Sequence, residues 1–318
     1  MPTFLDFEKP IAELQGRIDE LRETGADGGV DITAEIAKLQ AKSDKLLRDT
    51  FSKLTPWQKT QVARHPDRPH FMDYVSGLFD EFVELAGDRK FMNDDAILGG
   101  LARFRGRPVV VIGHEKGRDT QTRLKHNFGM GKPEGYRKAV RLMELAGRFG
   151  LPVVALVDTS GAFPGKGGEE RGQAEALARA IEACLTLDTP MISVIVGEGG
   201  SGGAVALASG NKVLMMEHAV YSVISPEGAA SILFHDAKRA KDTAEAMKIT
   251  AQDLEKFRIV DAVVKEPMGG AHRDPKVAIE KVGDAIEKAL TTLDGMSADD
   301  LRAQRKERFY AIGREGLA

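Results

Sequence analysis

Seven consecutive residues, Gly197-Glu198-Gly199-Gly200-Ser201-Gly202-Gly203, satisfy three chemically different patterns. Gly197-x-Gly199-x-x-Gly202 fits a dinucleotide fingerprint, with Glu217 about twenty residues further on. The segment that follows, Ala204 to Ser209, is cut off by Gly210 and is too short for the crossover helix. Glu198 would also stand in the turn meant for pyrophosphate. Gly199-x-Ser201-x-Gly203 fits a nucleophile elbow, with Asp261 and His272 downstream in the hydrolase order. His272 lies in a Gly- and Pro-rich stretch with no sign that it returns to a sheet edge, so a serine hydrolase using Ser201 stands only as an alternative. The third pattern asks for backbone alone. Glycines between a strand and a helix N-terminus can point adjacent N–H groups at a developing oxyanion, with the helix dipole in support. Such a site polarises a thioester or amide carbonyl and needs no side-chain acid, base or nucleophile.

The elements that must carry this loop read as α/β. From Phe4 to about Gly87 the pattern is helical: Ile11, Leu14, Ile18 and Leu21, then Ile32, Ile36 and Leu39, recur three and four apart around a break at Gly25–Gly29. Thr55-Pro56 opens a third helix, and a fourth is expected over Phe71–Leu85. Region 1–87 is expected to be helical and to serve self- or partner-packing, with the catalytic domain over 88–318. In that domain, strands at Pro108–Ile112, Val153–Val157, Met191–Val196, Val213–Met216, Val220–Ile224 and Asp261–Val264 alternate with helices at Pro133–Phe149 and Glu169–Leu187. Asp274-Pro275 caps a further helix, and Ser297 with Asp300 a terminal one. This alternation predicts a mainly parallel sheet, whose ligands bind beyond the carboxyl ends of its strands. Two more glycine-rich turns fall there, Asp158 to Gly165 and Ser225 to Gly228.

Composition narrows the partners. The 318 residues carry 45 Lys+Arg against 48 Asp+Glu, a net charge of −3, without the basic footprint of a nucleic-acid binder. The one cysteine, Cys184, cannot build an internal disulfide or a thiolate zinc site, so no metal is expected in this chain and the cytoplasm is the expected location. No apolar run approaches the ~18 residues that span a bilayer.

Three long motifs then occur in one order: Phe128-Gly-Met-Gly-Lys-Pro-Glu-Gly-Tyr-Arg-Lys-Ala139, Asp158-Thr-Ser-Gly-Ala-Phe-Pro-Gly165, and Glu169-Glu-Arg-Gly-Gln173. With Gly197–Ala204, Tyr221–Gly228 and Gly269–Arg273 they closely resemble the carboxyltransferase alpha subunits of bacterial acetyl-CoA carboxylase. The resemblance covers essentially the whole chain and implies a crotonase-like fold, a spiral of strand–strand–helix units. It further implies one half of an enzyme moving a carboxyl group from carboxybiotin to an acetyl coenzyme A thioester, giving malonyl-CoA in the first committed step of fatty acid biosynthesis. A beta subunit with a four-cysteine zinc ribbon supplies the other half in an α2β2 heterotetramer. The biotin rides on a separate biotin carboxyl carrier protein, served by biotin carboxylase.

By resemblance the alpha glycine loop faces biotin. The amides of Gly202 and Gly203 are then the expected oxyanion donors, with Gly199 and Gly200 shaping the turn. Gly161, Phe163 and Gly165 are expected to wall the same cavity, and Gly228 to open the next helix. Tyr136, Arg137 and Lys138 are placed to reach coenzyme A phosphates, and Glu169, Glu170 and Arg171 to form an ion pair at a helix start. The chain departs from the usual family pattern at Ser160 (proline), Phe163 (tyrosine) and Ala229 (cysteine), none of which removes a backbone donor. A non-catalytic scaffold of the same fold is the remaining alternative.

Overall fold

The computed structural model describes residues 3–28 and 32–314. Helices α1 (Lys9–Gly28) and α2 (Thr33–Phe51) pack on each other and bury Ile11, Leu14 and Ile18. α1 runs on through Gly28, so Gly25–Gly28 of the break expected at Gly25–Gly29 are helical, and Gly29 lies outside the described residues. α3 (Pro56–Ala63) begins as its sequence requires: Gln58 N–H donates to Thr55 Oγ1 and Thr55 N–H to Gln58 Oε1, with Pro56 at the first helical position.

The helix expected over Phe71–Leu85 is shorter. It ends as α4 (Phe71–Leu78), and Phe79–Glu84 form strand β1, so region 1–87 is not wholly helical. β1 pairs antiparallel with β2 (Ile97–Phe104), placing Phe79 opposite Phe104 with ring centroids 5.5 Å apart. Cross-strand pairing remote in sequence overrides the local helical spacing. β2 carries no strand signal of its own because Gly99-Gly100 interrupt it. A Cβ at Gly100 would stand 2.0 Å from the Val83 carbonyl oxygen, so the residue that disguises the strand is the one that lets β1 approach.

The chain continues through β3 (Arg107–His114), α5 (Thr120–Lys125), α6 (Pro133–Phe149), β4 (Val153–Thr159), α7 (Lys166–Glu170), α8 (Gln173–Thr186), β5 (Met191–Gly200) and α9 (Ser201–Val205). Then come β6 (Lys212–Met216), β7 (Val220–Ser222), α10 (Pro226–Phe234), α11 (Ala240–Ala246), α12 (Ala251–Lys256), β8 (Ala262–Val264), α13 (Pro275–Thr291) and α14 (Ala298–Ala311). The sheet order is β1-β2-β3-β4-β5-β6-β8, with β7 on the carboxyl end of β5. Pairs β1/β2 and β2/β3 are antiparallel and the rest parallel, which meets the expected α/β architecture. β2–β3–α6 and β6–β7–α10 are strand–strand–helix units. α6 lies on β2, β3 and α8, with Tyr136, Ala139, Met143 and Ala146 fully buried, and Gly150 ends it in the left-handed region at φ 66°. The single helix expected over Glu169–Leu187 is split into α7 and α8 by Gly172 at φ 81°. Among the described residues no helix is long and apolar enough to cross a membrane.

Candidate active site

Strands β4 and β5 are buried along their whole length and end side by side, which brings the loop after Thr159 against the glycine loop after Val196. The two loops touch through backbone. A Cβ at Gly200 would lie 2.1 Å from the Ser160 carbonyl oxygen, and one at Gly203 would lie 2.6 Å from the Ala162 nitrogen and 2.9 Å from the Tyr136 hydroxyl. Gly202 differs, for its Cβ would meet only Leu177 Cδ1 at 3.5 Å, an ordinary contact. Ser201 turns strand into helix in the left-handed region, φ 53°. The N–H groups of Ser201, Gly202 and Gly203 are the first three of α9 and have no acceptor within the helix. The elements therefore present neighbouring backbone donors on a support too tightly packed to shift.

Beside this loop lies a chain of charge. Lys116, just past β3, places Nζ 2.8 Å from Asp158 Oδ1 and 2.9 Å from Glu198 Oε2. Arg64, at the end of α3, donates to Glu198 Oε1 at 2.6 Å and to Glu227 at 2.5 Å. Asp158 Oδ1 also accepts the Glu198 N–H at 2.9 Å, and His70 Nδ1 is 3.4 Å from Asp158 Oδ2. Burial alone would raise the Asp158 carboxyl, yet Lys116 and His70 hold it well below the usual carboxylate range. Burial likewise opposes ionisation of Glu198, and Lys116 and Arg64 overcome it. Arg68, buried beneath, fixes the strand: its Nε donates to the Val196 carbonyl at 2.6 Å while its guanidinium grips Glu266 at 2.7 and 3.0 Å. A cavity of about 360 Å³ opens over this network, lined by Arg64, His70, Lys116, Arg123, Phe128 and Ser160.

His114, at the end of β3, is a buried imidazole that burial depresses to about 4, with Asp158 and the Gly203 backbone opposing the shift only in part. Because that folded value lies below the unfolded value near 6.5, the unfolded chain binds more protons below pH ~6.5, and stability is lost as pH falls from there through 4. The expected loss from this group is about 3 kcal/mol. Urea unfolding at pH 7.5 and 4.5 is expected to show a loss about 2–3 kcal/mol smaller in His114→Gln than in the parent chain. Equal losses would contradict this.

The structure brings Gly161, Gly199, Gly200, Gly202 and Gly203 together as the two apposed loops. Phe163 and Gly165 sit on the first of them, the Lys132 ammonium 5.7 Å from the Phe163 ring centroid. Gly228 lies in the first turn of α10, its N–H donating to Ser225 Oγ at 3.1 Å. The coenzyme A contact expected of Tyr136, Arg137 and Lys138 does not fit their placement. Tyr136 is wholly buried, Lys138 is buried with Nζ held by Asn93 Oδ1 and the Asp94 carbonyl, and Arg137 is taken up by Asp88 and Glu134. The ion pair expected within Glu169–Arg171 is also replaced: Arg171 bonds Glu134 at 2.6 Å and Glu170 pairs with Lys166. Ser201 has no histidine partner among the described residues. Asp261 is engaged by Val213 N–H and Arg308, and His272 stacks on His65 at 3.8 Å, so the hydrolase order assembles no triad. The dinucleotide pattern likewise leads only into the five-residue α9. Sequence reasoning missed Arg64, Lys116 and Arg68. A lone cation carries no signal until the fold brings its acid from 82 or 134 residues away, as it does for Lys116 and Arg64 with Glu198.

A family profile described as acetyl co-enzyme A carboxylase carboxyltransferase-like matches residues 4–313. The chain is similar to the acetyl-coenzyme A carboxylase carboxyl transferase subunit alpha of Rhizorhabdus wittichii, 65% identical over 98% of this chain and 100% of the relative. It is 62% identical to the subunit of the same name from Paramagnetospirillum magneticum, over 99% of each. Among solved structures it is similar to transcarboxylase 12S, with a TM-score of 0.57 and 20% identity over 70% of this chain and 42% of that one. It is also similar to the Pseudomonas malonate decarboxylase MdcD-MdcE heterodimer, with a TM-score of 0.55 and 17% identity over 69% of this chain and 89% of that one. At those identities the structural likeness concerns the fold, which is the crotonase-like fold expected from the sequence. On profile and full-length identity together, the chain belongs to the family of acetyl-CoA carboxylase carboxyltransferase alpha subunits.

Proposed function

We propose that this chain is the donor-side half of a carboxyltransferase that moves a carboxyl group from carboxybiotin, carried on a biotin carboxyl carrier protein, to acetyl-CoA, giving malonyl-CoA for fatty acid biosynthesis. The observation that carries the reading is the pair of amides at Gly202 and Gly203, without an acceptor inside α9, on a loop closed by backbone contact at Gly200 and Gly203. A ureido oxygen needs adjacent N–H donors at a point that no side chain fills, and this loop offers them. Bound carboxybiotin supplies an activated carboxyl group and a ureido oxygen that gains negative charge as that group leaves. The Gly202 and Gly203 amides would face that oxygen, and the helix dipole of α9 adds to the favourable potential. Asp158 and Glu198 stay ionised and tied to Lys116 and Arg64, so they shape and stiffen the wall and leave proton transfer at this loop without a carboxylic acid of their own. The thioester half of the site belongs, in this reading, to a zinc-ribbon beta subunit in an α2β2 assembly.

The test is the reverse reaction, transfer of the malonyl-CoA carboxyl group to biocytin, with this chain alone and mixed with a carboxyltransferase beta subunit. Turnover in the mixture only is expected. Turnover by this chain alone contradicts a shared site, and a stable but inactive complex contradicts the role given to the glycine loop.

A further inference from the structure

A second cavity, about 740 Å³, runs between α6 and α8 and is closed at one end by the Asp88–Lys90 turn. Its volume falls in the range of small-molecule sites, roughly 300–1,000 Å³. Its floor is apolar, made by Val140, Met143, Ala183 and Leu187. Its rim is cationic, and most of that charge is unspent. Arg137 is neutralised by Asp88 and Glu134, and Arg179 by Glu175 and Glu182. The side chains of Arg89, Lys90 and Arg148 have no hydrogen-bond or ion-pair partner among the described residues, and Arg141 has no acidic one. Arg141 Nη2 donates to the Leu85 carbonyl at 2.6 Å, but its Nε–H is buried without an acceptor. Against these four cations the groove offers one unpartnered acid, Glu144, since Asp188 is bound by Arg302.

The arrangement is electrostatically unfinished. Burial lowers the proton affinity of Arg141 and the positive charge of Arg89 lowers it further, while Asp88, itself paired with Arg137, offsets only part of this. Arg89 is held there in the left-handed region, φ 61°. An anion with several oxygens would give the Arg141 Nε–H its acceptor, end the repulsion and reach Arg148. A tetrahedral phosphate suits three guanidinium groups better than a planar carboxylate, which one fork saturates.

We infer that this groove binds a phosphorylated organic molecule, its phosphate among Arg89, Arg141 and Arg148 and its uncharged part on the Val140–Met143 floor. The site is separate from the transfer loop. Tyr136, which touches Gly203, lies five residues before Arg141 and twelve before Arg148 on α6, about 7.5 and 18 Å along the helix axis at 1.5 Å per residue, and neither it nor Gly203 lines the groove.

The probes are inorganic pyrophosphate and ADP, titrated into the full-length chain by calorimetry at low ionic strength. Saturable binding of both is expected, tighter for ADP because only it covers the floor. The double substitution Arg89→Gln/Arg148→Gln should weaken each by about tenfold or more, the equivalent of ~1.4 kcal/mol. These two side chains have no hydrogen-bond or ion-pair partner among the described residues, so the fold is not at risk, whereas Arg141 holds the Leu85 carbonyl and is left in place. In the assembled carboxyltransferase the same variant should keep kcat and the KM for malonyl-CoA. Absence of saturable binding overturns the inference, as does unchanged affinity in the variant. No gain of ADP over pyrophosphate removes the floor from the site. A parallel rise in the malonyl-CoA KM would make the groove part of the substrate site and overturn its separateness.

Discussion

Replacing Lys116 by methionine is expected to destabilise the chain by about 3–5 kcal/mol near pH 7.5, the cost of leaving buried charge without its partner. The Lys116 ammonium stands between Asp158 and Glu198, at 2.8 and 2.9 Å, and its side chain is only 15% exposed. Without it, Glu198 keeps Arg64, but Asp158 is left with the His70 ring and a like charge nearby. In the parent chain Asp158 titrates below its unfolded value, so its contribution is present above pH ~4 and lost as pH falls further. In Lys116→Met the Asp158 value rises above the unfolded one, so ionising it opposes folding at neutral pH and ceases to do so as pH drops. The gap between the two proteins should therefore narrow from pH 7.5 to pH 5, and Lys116→Arg should recover part of it. Urea unfolding at both pH values decides; a gap under about 1 kcal/mol, or one independent of pH, would show that the cation is not what allows both acids to ionise there.

The glycine loop makes a contrasting prediction about two neighbours of identical type. Gly203→Ala drives a Cβ against backbone atoms of Gly161 and Ala162, at 2.7 and 2.6 Å, which cannot rotate away as a side-chain end can. The loops must part, and displacing the amides should lower carboxyl transfer by about 10²–10³-fold, the loss typical of one oxyanion donor. Gly202→Ala meets only Leu177 Cδ1 at 3.5 Å and is expected to fold normally and stay within about threefold of the parent rate. Equal effects at both positions would show that the space around each Cβ does not decide which glycine the loop needs.

The legible parts of the molecule were those written locally. Thr55-Pro56, Pro133 with Gly150, and Asp274-Pro275 mark helix ends by side-chain and backbone chemistry that acts within a few residues, and the helices begin or end there. The glycine clusters after β4 and β5 were found because a parallel sheet puts its ligands at that end of its strands. What stayed hidden depends on residues meeting from afar. β1 and β2 form only by pairing with each other and with β3. Lys138 looks like a solvated cation on its helix until the Asn93–Asp94 segment closes over it. Arg171 finds its acid on α6, 37 residues away, in Glu134. Nor does a glycine pattern say which glycine is needed for space, and the difference between Gly202 and Gly203 appears only when the opposing loop is in place.

The backbone amide itself is the centre of the account, and an amide-to-ester exchange tests it without touching a side chain. Glycolate in place of Gly203 deletes one N–H, and because that group has no acceptor within α9 the fold should be little affected. With the beta subunit present, carboxyl transfer from malonyl-CoA to biocytin is expected to fall about 10²–10³-fold in kcat, some 3–4 kcal/mol, with the melting temperature nearly unchanged. A rate within about threefold of the parent protein would contradict the assignment of that amide as an oxyanion donor.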